Sequence, residues 1–248
     1  MRLKHCCSLF LALLVLIMAS GAVTAAPLVI MVDPGHHLDA PGATSCSGIP
    51  EYQFNQKLAE VVIRRLRAAG YQVHSTADIP GPLRPRERAK RAAQADLLLS
   101  LHHDSVQPEA GNRMPGGGFC SRAANGFSLF VRQGGGAEPL AILIGQGLLQ
   151  RGMVFNTYHA HVHRHEGYPI LSSQAGLYAG GRLELLQSSA VPAILIEAAV
   201  IVHPDDERLA ASPAYQSAYA EVITESLSRC RRAAVPLRGL VCDGQVPE

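Results

Sequence analysis

The sequence LVIMVDPGHH, residues 28–37, joins an apolar run to an abrupt turn. Residues 28–32 have the length and β-branched composition of a buried strand, and Asp33-Pro34-Gly35 is typical of a turn. Two later stretches have the same design: DLLLSLHHD at residues 96–104 and PAILIE at residues 192–197. Each apolar run leads to a histidine or a carboxylate. The sequence therefore predicts three buried strands with polar groups at their ends.

Helical patterns separate the predicted strands. Between residues 51 and 69, apolar side chains recur near the helical period, and Gly70 ends the segment. Further helices are predicted at 86–95, 138–151, 182–187 and 204–229, further strands at 71–75 and 127–131, and a surface loop at 107–126. Strands that alternate with helices are typical of α/β proteins. We predict a single α/β domain with a mostly parallel twisted sheet and helices on both faces.

The first 25 residues have the features of a secretory signal peptide. Arg2 and Lys4 provide a positive start, residues 9–18 form an apolar run of about ten residues, and residues 23–25 resemble a cleavage site. An uncleaved membrane anchor is the alternative, but the run is shorter than the roughly 20 residues of a spanning helix. We predict export to the periplasm or secretion, without membrane attachment once the signal is removed.

The charge balance argues against nucleic-acid and membrane partners. The chain has 22 Lys and Arg against 20 Asp and Glu, and removal of Arg2 and Lys4 leaves the mature part neutral. A neutral chain lacks the basic excess that binds nucleic acid or an anionic membrane surface. No later stretch is long and apolar enough to cross a bilayer, so we predict a soluble mature protein, and we expect it to be a monomer.

Polar side chains at the ends of the predicted strands supply a candidate site. His36 and His102 follow two of these strands, Glu197 ends a third, and Glu51 opens the first helix at the same edge. Because binding groups of an α/β sheet collect beyond the carboxyl ends of its strands, we expect these side chains to converge.

Such a set has the composition of a hydrolytic zinc centre. Two imidazoles and a carboxylate bind zinc and leave one position for water, and a second carboxylate can act as general base. On spacing alone another interpretation stays open, because histidines at strand ends are commonly satisfied by ordinary loop contacts. The compact His-Glu-x-x-His motif is also absent from the sequence.

The same stretches resemble, in order, the motifs of the zinc-dependent N-acetylmuramoyl-L-alanine amidases, cell-wall hydrolases of the amidase 3 type. The matching segments span nearly the whole mature chain: residues 32–36, Glu51 at a helix start, residues 100–102 and residues 192–197. The resemblance implies one Zn²⁺ per chain, bound by His36, Glu51 and His102, with Glu197 as the catalytic carboxylate. It also implies peptidoglycan as the substrate, cut at the amide between N-acetylmuramic acid and L-alanine.

The resemblance assigns a zinc amidase catalytic domain to residues 26–230 and leaves residues 231–248 as a C-terminal tail. Two alternatives remain: a zinc peptidase that cuts the stem peptide, and an inactive amidase-like protein that binds the wall or activates another enzyme. The presence of all four site residues argues against inactivity. The stretch between residues 130 and 183 is too short for the occluding helix of some division amidases, which favours an enzyme without such regulation.

The chain departs from the family pattern around the site. The substituted positions are His37 for Gly, His103-Asp104 for Ala-Asn, Ala199-Val200 for Gly-Phe and Ala77 for Arg. None of them removes a proposed ligand or the base. They therefore bear on the shape of the site and on substrate preference.

Four histidines alternate along one segment, at positions 159, 161, 163 and 165. On an extended segment His159, His161, His163 and His165 share one face. A second metal site and a pH-dependent lid are two interpretations, and contact of one histidine with the substrate is a third. We favour a solvated loop.

Outside the predicted signal peptide the chain has four cysteines, Cys46, Cys120, Cys230 and Cys242. An even number in an oxidising compartment predicts two disulfides, for which three pairings exist. We favour Cys46–Cys120, near the proposed site, and Cys230–Cys242 at the C-terminal end. A zinc cluster is the alternative, but no Cys-x-x-Cys pair is present.

Overall fold

A seven-stranded sheet forms the centre of the protein, seen in a computed structural model that describes residues 28–78, 84–161, 167–232 and 240–243. The strands are β1 Val29–Pro34, β2 Gln72–Ser75, β3 Leu97–Asp104, β4 Asn112–Arg113, β5 Phe119–Cys120, β6 Ser128–Val131, β7 Ile170–Ser172, β8 Leu177–Ala179, β9 Ala193–Val200, β10 Cys230–Arg232 and β11 Leu240–Cys242. The helices are α1 Glu51–Ala68, α2 Pro85–Arg91, α3 Glu138–Gln150, α4 Tyr158–His161, α5 Glu184–Ser188, α6 Pro204–Ala210 and α7 Pro213–Ser228.

The strands of the central sheet follow the order β2-β1-β3-β9-β6-β8-β7. The first four are mutually parallel, whereas β6 runs antiparallel to β9 and β7 antiparallel to β8. In the β3–β9 register His102 lies opposite Glu197. Two of the predicted site residues are therefore neighbours across adjacent strands.

Helices cover both faces of the sheet, because side chains on each strand alternate between two apolar layers. Ile30 and Val32 of β1 join the layer under α1, α3 and α7, while Met31 faces the layer under α2 and α5. The prediction of a single α/β domain with a mostly parallel sheet is confirmed. In the described part of the chain, no helix has both the length and the apolar character that crossing a bilayer requires.

The prediction of one closing helix over residues 204–229 is wrong, because α6 and α7 are separate helices. Proline lacks an N–H and forces the preceding residue towards extended backbone. Ser212, just before Pro213, accordingly has φ −83° and ψ 134°. Its hydroxyl accepts a hydrogen bond from the Tyr215 N–H at 3.2 Å and caps the new helix.

Both favoured cysteine pairings are present as disulfides, Cys46–Cys120 and Cys230–Cys242. The first joins the segment before α1 to the β4–β5 hairpin, which lies within the predicted loop 107–126. The second joins β10 to β11, where Leu240 and Cys242 are buried against the main core. The predicted signal peptide, residues 1–25, lies outside the described residues, and the proposed domain bounds stay predictions.

Candidate metal centre

The structure brings the three predicted ligands together. His36 follows β1, Glu51 is the first residue of α1, and His102 lies in the last half of β3. One potential ligand atom from each residue lies within 4.8 Å of the other two. Elements that are far apart in sequence thus meet at one end of the parallel strands, as expected for an α/β sheet.

Glu51 is the centre of this cluster. Its Oε2 lies 3.2 Å from His36 Nε2, and its Oε1 lies 3.1 Å from His102 Nδ1. The same carboxylate accepts hydrogen bonds from the Asn55 side-chain amide at 3.0 Å and the Ala43 N–H at 3.1 Å. Burial raises the pKa of Glu51, but the His102 hydrogen bond and the charges of both histidines outweigh it and lower the pKa to about 2. The carboxylate is therefore ionised at neutral pH.

His36 has an unusual backbone. It is the one non-glycine residue with positive φ, 65°, among those that the structure describes. Such a conformation costs about 1–3 kcal/mol and clusters at functional sites. Burial, which is the largest influence, lowers the pKa of His36. A neutral imidazole is the form that binds a metal.

Two glycines allow the proposed ligands to pack closely. A Cβ at Gly35 would lie 2.2 Å from the His102 ring, and one at Gly42 would lie 2.3 Å from Glu51 Oε2. Gly42 also has φ +78°, a conformation that side chains disfavour. Neither position accepts another residue without displacing a proposed ligand.

Glu197 occupies the neighbouring strand, opposite His102. Burial, and then the charges of Asp104 and Glu51, raise the pKa of Glu197 well above its usual range. Among the described residues, neither Glu197 Oε2 nor His102 Nε2 has a hydrogen-bond partner, although both atoms are buried. Buried polar atoms are nearly always satisfied. An orphaned imidazole nitrogen and an orphaned carboxyl oxygen beside His36 and the ionised Glu51 fit a divalent cation with its water.

A second polar cluster adjoins the site and was missed from the sequence. Asp104 Oδ2 lies 2.5 Å from His159 Nε2 and accepts a hydrogen bond from the Asn156 amide at 2.9 Å. Burial lowers the pKa of His159, but the hydrogen bond with Asp104 and its charge outweigh this effect and raise it. Asp104 stands where the family pattern has Asn. In this chain the Asp104 carboxylate is paired with the His159 ring.

The alternating histidines are not an extended strand throughout. His159 and His161 lie in the short helix α4, where residues two apart face different directions. His163 and His165 lie outside the described residues. The structure thus gives one member of the run, His159, a defined contact near the site.

Asp33, at the end of β1, forms a buried network beside the ligands. It accepts hydrogen bonds from Thr76 and Ser100 hydroxyls, both at 2.6 Å, and pairs with Arg88 at 2.7 Å. These contacts join β1 to β3 and α2 directly before the first ligand. Ser100 lies in the motif at residues 100–102, but its hydrogen bond to Asp33 becomes apparent only in the fold.

Comparison with known proteins identifies relatives over most of the chain. The family profile described as N-acetylmuramoyl-L-alanine amidase matches residues 30–229. A curated relative, the N-acetylmuramoyl-L-alanine amidase AmiC of Neisseria meningitidis serogroup B, is 26% identical over 239 residues. The alignment covers 85% of this chain and 54% of that protein, so the chain spans about half the length of its curated relative.

Solved structures of amidases share the fold. An N-acetylmuramoyl-L-alanine amidase of Clostridium difficile 630 has a TM-score of 0.63 and 21% identity, covering 82% of this chain and 96% of its own. Ami1 of Mycobacterium smegmatis gives the same values. CwlD of Clostridioides difficile, solved in complex with the GerS lipoprotein, has a TM-score of 0.58 and 16% identity, with coverage of 81% and 96%.

Proposed function

The chain belongs to the family of N-acetylmuramoyl-L-alanine amidases, and from this premise we propose that it is a zinc-dependent hydrolase of peptidoglycan. It cleaves the amide bond between N-acetylmuramic acid and the L-alanine of the stem peptide. The observation that carries the proposal is the convergence of His36, Glu51 and His102 within 4.8 Å, with Glu197 beside them.

We propose that His36, Glu51 and His102 hold one Zn²⁺. A zinc ion in such a site acts as a Lewis acid towards the scissile carbonyl and lowers the pKa of water. Glu51 contributes the negative charge that favours a cation, and Asn55 holds the Glu51 carboxylate in place. Gly35 and Gly42 leave the room that this packing requires.

Glu197 is the proposed general base. Its Oε2 accepts a proton from the attacking water, whose oxygen bonds to the carbonyl carbon, and Glu197 then donates that proton to the leaving nitrogen as the C–N bond breaks. The products are the lactyl carboxylate of N-acetylmuramic acid and a stem peptide with a free L-alanine amine. Burial and a raised pKa support this role, since such a carboxyl holds a proton more readily than an ordinary glutamate does.

We also propose that the enzyme acts as a monomer outside the cytoplasm, on peptidoglycan in the periplasm or after secretion. His36, Glu51 and His102 converge within one chain, and Glu197 lies opposite His102 in the same sheet. The two disulfides fit an oxidising compartment.

The test is product analysis by mass spectrometry. Purified peptidoglycan incubated with the zinc-loaded mature protein should release intact stem peptides that begin with a free L-alanine amine, and chelator-treated protein should release none. Fragments cut inside the stem peptide would favour the peptidase alternative. If zinc is bound but no preparation of wall releases peptide, the inactive wall-binding alternative would be favoured.

A further inference from the structure

A cavity of about 300 Å³ adjoins the proposed metal centre. Its lining includes Ala43 and Thr44 from the segment before α1, Ser105 and Val106 after β3, and Arg113 and Phe119 from the β4–β5 hairpin. The Ala43 N–H donates to Glu51 Oε2, and Ser105 directly follows Asp104 in the chain. The volume is at the lower end of the range for small-ligand pockets. The cavity therefore shares wall segments with the proposed centre, through Ala43 on one side and Ser105 on the other.

The hairpin wall of the cavity is fixed in position. The Cys46–Cys120 disulfide joins it to the segment before α1, and the Phe119 N–H donates to the Ser45 carbonyl at 3.1 Å. Arg113 pairs with Phe119 across the hairpin. A cross-linked wall holds its side chains in position before any ligand arrives, which reduces the entropic cost of binding.

Arg113 is the one charged residue in the lining of this cavity, within the part of the chain that the structure describes. Over the same described ranges its guanidinium makes no ion pair, whereas Arg122 in the same loop pairs with Asp205 at 3.4 Å. The neighbouring site contributes the carboxyl groups of Glu51, Asp104 and Glu197. An anionic ligand next to them requires a compensating cation, and the planar guanidinium binds carboxylates in a bidentate manner.

We propose that this cavity is a substrate subsite in which Arg113 binds a carboxylate of the stem peptide, close to the scissile amide. The inference rests on the proposed function, because it takes the stem peptide as the ligand. Such a subsite selects acidic stem peptides over their amidated forms. The carboxylate belongs to the residue after L-alanine, since the cavity begins beside the metal centre.

The test measures binding rather than turnover. Two probes differ only in charge, N-acetylmuramoyl-L-alanyl-D-glutamate and its diamide, and both are titrated by calorimetry into the zinc-loaded Glu197→Gln protein. We expect the acidic probe to bind about 10-fold more tightly, as one charge-assisted hydrogen-bond pair gives. Adding Arg113→Gln to this protein should make the affinities for the two probes equal. Titration of the two monoamides of the acidic probe identifies which of its carboxylates is bound.

Arg122→Gln in the same background is the matched control and should keep the preference for the acidic probe. Disulfide mapping of Cys46–Cys120 checks that the hairpin is intact in each variant. The subsite would be overturned if the Glu197→Gln protein bound both probes equally, or if its preference for the acidic probe survived Arg113→Gln. It would also be overturned if neither probe bound although the parent protein cleaves the wall. A preference for the acidic probe in a protein that releases no stem peptide would instead count against the proposed function.

Discussion

Glu51 and Glu197 lie beside the same histidine, yet their surroundings move their pKa values in opposite directions. Glu51 receives hydrogen bonds from His102 and Asn55, which stabilise its charge and give a pKa of about 2. Glu197 Oε2 is buried without a partner among the described residues, and its pKa is raised. Carboxyl groups whose environments separate their pKa values in this way serve different roles. The difference supports Glu51 as a metal ligand and Glu197 as the general base.

This assignment predicts contrasting effects of two substitutions. Glu197→Gln keeps size and hydrogen bonding but removes the proton acceptor, so amidase activity should fall about 10²-fold or more while zinc content stays near one per chain. His36→Ala removes a proposed ligand and should lose zinc and activity together.

Elemental analysis and peptide release from purified wall give the two readouts. Near-parental activity of Glu197→Gln would show that another group is the base. Full zinc content in His36→Ala would remove that histidine from the ligand set.

The convergence of His36, Glu51 and His102 was predictable from the sequence because each lies in a short motif that ends a strand or starts a helix. Asn55 also left a signal, since it follows Glu51 by four residues and side chains at that spacing share a helix face. The pairing of Asp104 with His159 left none, because the residues are 55 apart in sequence and meet only through the fold.

Among the secondary-structure elements, the break between α6 and α7 was missed although the sequence carried its signal. Apolar periodicity alone favoured one long helix, but Ser212-Pro213 is a typical helix start. The antiparallel direction of β6 had no such signal, because an apolar run does not encode which way its strand points.

The cap of α7 can be tested by Ser212→Ala. Loss of the hydroxyl leaves the Tyr215 N–H without its acceptor and should cost about 1 kcal/mol, a fall in Tm of about 2–4 °C. Ser217→Ala, at an exposed position within the same helix, is the matched control and should stay within about 0.5 kcal/mol of the parent. Thermal unfolding followed by circular dichroism measures both, and equal Tm values for the two variants would contradict a stabilising cap.

For the whole molecule, the proposed metal links three elements that meet only in the folded state. The segment that follows β1, the first turn of α1 and the strand β3 each carry one proposed ligand, so zinc should bind the native protein far more tightly than the unfolded chain. At free zinc about 100 times its Kd, the stabilisation is about 2.7 kcal/mol, and Tm should rise by about 5–10 °C above the chelated protein.

Calorimetric scans at several free zinc concentrations measure this dependence. Glu197→Gln should keep the zinc-dependent rise in Tm, because its ligands are intact, whereas Glu51→Ala should lose it. A Tm that is independent of zinc in the parent would contradict a site shared by the three elements.

The close contact between Gly35 and the His102 ring makes loss of the site hard to reverse during evolution. Once His102 is replaced by a smaller residue, the three ring atoms nearest to a Cβ at position 35 are gone, and that obstacle to a side chain there is removed. A later reversion to histidine then meets a Cβ about 2.2 Å from its ring, so it no longer restores the original packing. Two changes, in the right order, are needed to recover what one change removed. A single reversion at position 102 therefore no longer restores the site once position 35 carries a side chain.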